Sequence, residues 1–194
     1  MHADLLARSL DRIDRYNDGD PNRVDDTPLA RLQGERAHHW VLRLDPDASG
    51  ALQLAARAHH IGRWELARSE FDEGRNGYLR WRREQKTRHA ELLGRVLLAE
   101  DVPPKILDRA REIVQKKGLG TDPEVQTFED AVCLTFVETQ FVSTADKLAD
   151  DDKMVEVVAK TLRKMSRPGI EAAASIALDP RSTGIVRRAA ATLG

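Results

Sequence analysis

Apolar residues along this chain recur mostly at spacings of three and four, the period of an amphipathic α-helix. Alternating Val, Ile and Thr runs, which would predict strands, are absent, and Ala, Leu, Arg and Glu dominate the composition. The segment 17–28, with its Gly, Pro, Asp and Asn residues, is predicted to be a loop. The predicted helices cover about 5–13, 29–44, 50–64, 78–99, 104–117, 124–142 and 150–165, and two short Ala-rich helices lie in about 170–194.

This pattern predicts an all-α fold. Neither an internal repeat nor a long linker divides the 194 residues, so we expect one compact multi-helix domain over 1–194. Within it, about 1–28 form an N-terminal helix and loop. Apolar residues make up 41% of the chain, which is enough to build a core for a domain of this size.

Charge is high but balanced. The chain has 31 Lys and Arg against 32 Asp and Glu, a formal net charge of −1, which excludes a strongly basic coat over the whole chain. Its one cysteine, Cys133, rules out an intrachain disulfide and a thiolate zinc cluster. The first fifteen residues lack an apolar signal core and no stretch resembles a membrane span, so a cytoplasmic protein with no membrane partner is expected.

Two histidine positions lie within helical apolar patterns. His89 shares a predicted face with Leu92, Leu93 and Val96, and His59-His60 lies near the end of a small-residue helix. A histidine on such a face is either a core residue with a satisfied hydrogen bond or a ligand.

A third element supplies carboxylates. Glu129 and Asp130 lie in the most apolar predicted helix, where a charged side chain must be paired, protonated or bound to a metal. A buried salt bridge to an arginine is the alternative to a metal ligand. Taken together, histidines from two helices and a carboxylate from a third favour a divalent metal such as Mn, Fe, Zn or Ni.

The segment from Ala55 to Arg63 resembles the core signature of HD-domain metal-dependent phosphohydrolases. In that family an apolar helix ends in His-Asp, and an upstream His and a downstream Asp complete the metal site. Here His38 or His39 would be the upstream residue and Asp130 the downstream one, whereas His60 stands where the family has Asp. The resemblance implies an HD-like helical arrangement and a metal-dependent phosphohydrolase.

Basic residues concentrate in two places. Between Arg57 and Arg88 nine Lys or Arg residues face five acids, with Trp64, Tyr78 and Trp81 interleaved. Lys160, Arg163, Lys164 and Arg167 form a second cluster with no acid inside it. Arginine forks of this kind suit phosphate, although solvated helix faces and salt bridges would give the same pattern.

A longer resemblance covers nearly the whole chain, to the uncharacterised family named domain of unknown function 4202. It implies no activity, but its pattern has Gln at the position of His59 and no fixed histidines at His38 or His39, which favours His60. The matching pieces include Ala56-Arg57, His60-Ile61, Arg63-Trp64-Glu65, Gly77-Tyr78-Leu79, Trp81-Arg82, His89-Ala90-Glu91, Glu129-Asp130, Cys133-Leu134, Asp152-Lys153-Met154 and Lys164-Met165-Ser166.

The leading hypothesis is a metal-dependent hydrolase acting on a phosphorylated small molecule or nucleotide. His60, His89 and Asp130 would hold the metal, which acidifies a bound water, and Glu129 would be the general base or would orient a metal ligand, with Glu138 as a further candidate. The alternative is a non-catalytic module that binds RNA or another anionic partner, and a third hypothesis is an iron-dependent oxygenase. The predicted substrate contacts are Arg57, Arg63, Arg68, Arg82, Trp64 and Trp81.

Overall fold

The computed structural model describes residues 1–192, apart from the side chains at positions 143 and 147, and helices dominate it. The predicted all-α fold is confirmed, while the last two positions of the predicted domain, 193 and 194, lie outside the described residues. The helices are α1 (Ala3–Asn17), α2 (Leu29–Leu44), α3 (Gly50–Arg57), α4 (Gly74–Val96), α5 (Pro104–Val114), α6 (Pro123–Thr139), α7 (Phe141–Leu148), α8 (Asp151–Leu162), α9 (Arg167–Ala173) and α10 (Pro180–Ala190).

Helix α3 lies in the middle of the core. It packs against α1, α2, α5 and α6, and its residues Leu52, Leu54 and Ala55 are completely buried. Small side chains permit close approach of the neighbouring helices. A close approach occurs at Gly34 of α2, where an added Cβ would lie 2.4 Å from the carbonyl oxygen of Arg57. The end of α3 is therefore held tightly against α2.

Several helix ends differ from the predicted ones by a few residues, and the largest difference is in the helix predicted over 50–64. The helix predicted over 50–64 ends at Arg57, because Ala58 leaves helical geometry and Gly62 adopts a left-handed φ of 61°. His59 and His60 consequently lie in an irregular turn, followed by a short 3-10 helix at Arg63–Glu65. The helix predicted over 124–142 ends at Thr139.

The segment 17–28 also differs from the predicted loop, since it contains a two-residue antiparallel pair. The two strands are β1 (Arg23–Val24) and β2 (Thr27–Pro28), and the turn between them places Asp25 and Asp26 at positive φ. Asp tolerates the left-handed region better than most residues, because its short side chain can bond to the local backbone. The pair leads directly into α2.

Helix α4 is the longest, with 23 residues, and it is strongly charged. None of the helices within residues 1–192 combines the length and the apolar character that a membrane span requires. Helix α8 lies farther along the chain and packs against α7 and α10. Asp150 caps its N-terminus by accepting hydrogen bonds from the backbone N–H groups of Asp152 and Lys153.

The contact at Gly34 gives a stability prediction. Gly34→Ala should lower the free energy of unfolding by about 1–3 kcal/mol, because the methyl group overlaps a backbone carbonyl that cannot move independently of α3. Gly184→Ala is the matched control: a Cβ there meets nothing within 4 Å in the middle of α10, so it should stabilise by up to about 1 kcal/mol. Urea unfolding of both variants tests this, and equal effects of the two substitutions would contradict it.

Candidate functional site

A cavity of about 700 Å³ lies between α4, α6 and α8, and the turn after α3 and the end of α5 complete its wall. One face of α4 contributes Arg75, Leu79, Arg82, Lys86 and His89, at spacings of four, three, four and three. These spacings place all five side chains in one stripe along the helix. The stripe carries most of the charged side chains on this wall of the cavity.

Helix α4 also holds the turn that follows α3. His89 donates from Nδ1 to the carbonyl oxygen of Ile61 at 2.7 Å, and Gln85 donates from Nε2 to the carbonyl oxygens of Arg63 and Leu66, each at 3.0 Å. The indole N–H of Trp81 donates to the same Leu66 oxygen at 3.1 Å. Because backbone carbonyls only accept, these bonds fix both the turn and the orientation of the three side chains.

Three imidazole rings meet in this turn. The rings of His59 and His60 stack with centroids 4.2 Å apart, and the His89 ring lies 6.1 Å from that of His60. His59 donates from Nδ1 to the Ala56 carbonyl oxygen at 3.1 Å, and the Nδ1 of His60 donates to the side-chain oxygen of Gln33. Each Nδ1 therefore carries the proton, and each Nε2 retains a lone pair.

These histidines are neutral near pH 7. Burial lowers the pKa of His59 and of His89 to about 3. The hydrogen bonds that these rings donate to backbone carbonyls raise the pKa, but by less than burial lowers it. Burial also places the pKa of His60 well below its usual value, and the neighbouring His59 and Arg63 add to this effect. The rings can accept hydrogen bonds or donate electron pairs at Nε2, but they do not take up a second proton near pH 7.

The cavity wall is strongly basic. Of the lining residues that the structure describes, seven are Lys or Arg and one, Glu129, is a carboxylate. Burial lowers the pKa of Arg63 to about 10 with help from Arg82, and burial also lowers the pKa of Lys86, with Lys116 adding to it. The basic residues of the wall are Arg63, Arg75, Arg82, Lys86, Lys116, Lys160 and Lys164.

The one carboxylate of the wall is paired. Lys116 follows the end of α5 in a left-handed conformation, with φ at 60°, and its ammonium forms an ion pair with Glu129. Burial alone would raise the pKa of Glu129, but this pair outweighs burial, and the carboxylate stays ionised. Cys133 lies on the same wall, where burial and the Glu129 charge raise its pKa to about 12, so it is a thiol.

The structure brings together five of the predicted site residues: His60, His89, Glu129, Arg63 and Arg82. Asp130 is not among the lining residues. Its carboxylate accepts hydrogen bonds from the backbone N–H of Ser166 at 2.9 Å and from Gln126 at 3.0 Å, and it also accepts from the Ser166 hydroxyl. Asp130 thereby anchors the start of α9. Within the described part of the chain, no group of three His, Cys, Asp or Glu side chains is placed to hold a metal ion.

The other predicted residues have structural partners elsewhere. Arg57 pairs with Asp14 of α1 through two hydrogen bonds, and Arg68 donates to the carbonyl oxygens of Phe71 and Asp72. Glu138 accepts a hydrogen bond from Trp40 at 2.9 Å, which joins α6 to α2.

Neither predicted tryptophan offers an open ring face to this cavity. Trp64 packs against Tyr16, with ring centroids 6.0 Å apart. Trp81 is only 8% exposed, and its ring is covered by the guanidinium of Arg63 at 4.6 Å. Trp81 therefore contributes to the cavity indirectly, by supporting Arg63.

Several lining residues were not among the predicted site residues. The main ones are Lys86, Lys116, Lys160 and Lys164. Lys86 continues the α4 stripe between Arg82 and His89, so helical spacing was the signal that could have identified it. Lys160 lies in the last turn of α8 and Lys164 lies in the turn after it, and only the fold shows that both line a cavity with α4 and α6.

Comparison with known proteins gives one match. A family model described as Domain of unknown function (DUF4202) matches residues 7–186. No curated protein and no solved structure matches the chain.

The buried neutral histidines predict how stability depends on pH. Below about pH 6.5 the unfolded chain binds protons at these positions whereas the folded protein does not, so stability should decrease as the pH falls. Each histidine contributes a slope of up to about 1.4 kcal/mol per pH unit. Urea unfolding between about pH 7.5 and about pH 5, where most carboxylates stay ionised, measures the slope.

Two variants check this assignment. His89→Gln should reduce the slope, whereas His39→Gln should leave it unchanged because His39 is exposed on α2. A stability that is flat over this pH range, or a slope that responds to His39 instead, would contradict it.

Proposed function

The chain belongs to the DUF4202 family, which carries no assigned activity, and we propose from the cavity itself that the protein binds and hydrolyses a phosphorylated small molecule or a nucleotide. The observation that carries this proposal is the charge of the wall: among the described residues, seven basic side chains and one carboxylate line one cavity, in a chain whose net charge is −1. Basic side chains repel one another in a partly buried space unless an anion joins them. Phosphate groups are the anions that Arg and Lys most often bind.

The dimensions of the cavity suit a small molecule. A volume of about 700 Å³ lies within the range of ligand-binding clefts, and apolar side chains such as Phe128, Val132 and Phe136 line part of it. The remaining surface therefore offers space for an organic group beside the phosphate. This combination favours a phosphate ester or anhydride over inorganic phosphate alone.

A buried acceptor also indicates a missing partner. The side-chain oxygen of Gln85 is buried and has no hydrogen-bond partner among the described residues, while its amide nitrogen is fully used by two backbone carbonyls. An unpaired buried acceptor costs about 1–3 kcal/mol. Gln85 lines the cavity, so a ligand hydroxyl or amino group, or a water held with the ligand, would supply the donor.

Hydrolysis is favoured over simple binding because the wall also holds three neutral imidazoles with free Nε2 lone pairs. Several groups of strongly shifted pKa in one cleft are typical of active sites. The predicted metal ligands do not fit as a set, because Asp130 is engaged with Ser166 and Glu129 with Lys116, so we derive no step through a metal ion. Metal use, RNA binding and oxygenation remain predictions.

Arg82 and Arg83 provide a matched test of binding. Both lie on α4, but Arg82 lines the cavity and Arg83 is exposed and lies outside it. Arg82→Gln should weaken the binding of ADP by at least about tenfold, since a charge-assisted hydrogen bond contributes about 1.5–3 kcal/mol. Arg83→Gln makes the same charge change on the same helix and should alter the Kd by less than about twofold. Isothermal titration calorimetry measures both.

The activity is measured as phosphate release from AMP, ADP, ATP and 4-nitrophenyl phosphate, with and without added Mn²⁺, Fe²⁺, Zn²⁺ or Ni²⁺. The proposal predicts turnover of at least one compound and its loss in Arg82→Gln. Absence of turnover under every condition would overturn hydrolysis. Equal weakening of ADP binding by the two arginine variants would overturn the cavity as the binding site.

A further inference from the structure

The ring of His60 is the most open of the three imidazoles. His60 is half-buried, whereas His59 and His89 are only 5% and 4% exposed. It also lies between them, stacked on His59 and tilted toward His89. Of the three Nε2 atoms, that of His60 is therefore the one that a ligand can approach with the least rearrangement.

Gln33 fixes which nitrogen of His60 reacts. Gln33 is 2% exposed on α2, and its side-chain oxygen accepts the Nδ1 proton of His60. This leaves the Nε2 lone pair with no protein partner in the described part of the chain, and it orients the ring relative to the core. A ring held by a buried neutral amide keeps its direction without acquiring a charge.

The surrounding charge decides between two roles for this lone pair. A general base would take a proton from water and become a cation, in a cavity whose described lining includes seven basic side chains. A nucleophile would instead form an N-phosphoryl imidazolium, because Nδ1 keeps its proton, but the attached phosphoryl dianion gives this adduct a net negative charge. Coulomb interactions therefore disfavour the protonated ring and favour the adduct.

We propose that the Nε2 atom of His60 attacks the phosphorus of the bound substrate and carries the phosphoryl group as a covalent phosphohistidine. This inference rests on the proposed function, since it requires a bound phosphate ester or anhydride. Arg63 and Arg82, whose charges act on His60 most strongly among the arginines, would stabilise the phosphoryl oxygens. Gln33 is a positioning residue, because it acts through His60.

The two steps consume one water and balance as follows. The Nε2 lone pair forms the N–P bond while the P–O bond to the leaving group breaks, and the departing oxygen keeps that electron pair. An alkoxide leaving group takes a proton from water, whereas a phosphate leaving group of a nucleotide departs as the anion. Water then attacks phosphorus, the N–P electron pair returns to Nε2, and phosphate and a proton are released.

The test is direct trapping of the adduct. Wild-type protein is mixed with ATP labelled with ³²P at the γ position, or with 4-nitrophenyl phosphate labelled with ³²P, and is quenched in alkali at short times. Phosphohistidine is stable to alkali and labile to acid, so the label should survive the first treatment and be lost in the second. Peptide mapping by mass spectrometry should place it on residue 60.

His60→Asn should reduce the label and the turnover by at least tenfold. His39→Asn, which changes an exposed histidine outside the cavity, should change neither.

A further measurement needs no variant. If one intermediate forms, 4-nitrophenyl phosphate and phenyl phosphate should transfer their phosphoryl groups to water and to added glycerol in the same ratio.

The outcomes separate this inference from the proposed function. Phosphate release without any alkali-stable label, a label mapped to another residue, or a partition ratio that changes with the leaving group would overturn the His60 nucleophile and leave hydrolysis standing. Neither turnover nor label with any of the probes would overturn both. Label on residue 60 with matching partition ratios is the result that the inference predicts.

Discussion

The candidate site depends on the hydrogen bonds by which α4 holds the turn after α3. His89, Gln85 and Trp81 donate to three carbonyl oxygens of that turn, and these bonds place His59, His60 and Arg63 at the cavity. The bond from His89 has a second consequence, because it fixes the proton on Nδ1 and leaves Nε2 as a lone pair. His89 therefore has two roles, because the ring that orders the turn also lines the wall of the cavity.

Around this turn the fold collects basic side chains that it neutralises only in part: Lys160 pairs with Glu156, but five of the seven described basic side chains of the wall form no ion pair within the described residues. Many ion pairs elsewhere in the described residues join helices at the surface, such as Arg109 with Asp122 and Glu124. Among the described residues that line the cavity, by contrast, the one carboxylate, Glu129, is already paired with Lys116. The remaining basic side chains raise the local potential, which favours anions and disfavours a bare metal cation. The neutral histidines fit this environment, because protonation would add further positive charge.

Much of the fold could be predicted from the sequence, and part of the site. Helical spacing identified the helices and the inward position of His89, and the apolar pattern around Glu129 indicated a buried carboxylate that needs a partner. The sequence could not show that Asp130, one residue further, anchors Ser166, because neighbouring residues on a helix face different elements. It also could not show that the helical stretch predicted over 50–64 ends at Arg57, or that Lys160 of α8 and Lys164, which follows α8, line the same cavity as α4. Those facts depend on contacts between residues that are distant in the chain.

The proposed function requires that the cavity is an anion site. A crystal grown with tungstate, a phosphate analogue with a strong anomalous signal, tests it most directly. We expect an anomalous peak inside the cavity, within contact distance of the His60 ring and of basic side chains such as Arg82 and Lys164. A cavity without tungstate while the anion binds elsewhere on the protein, or a transition metal bound by His60 and His89 in its place, would contradict it.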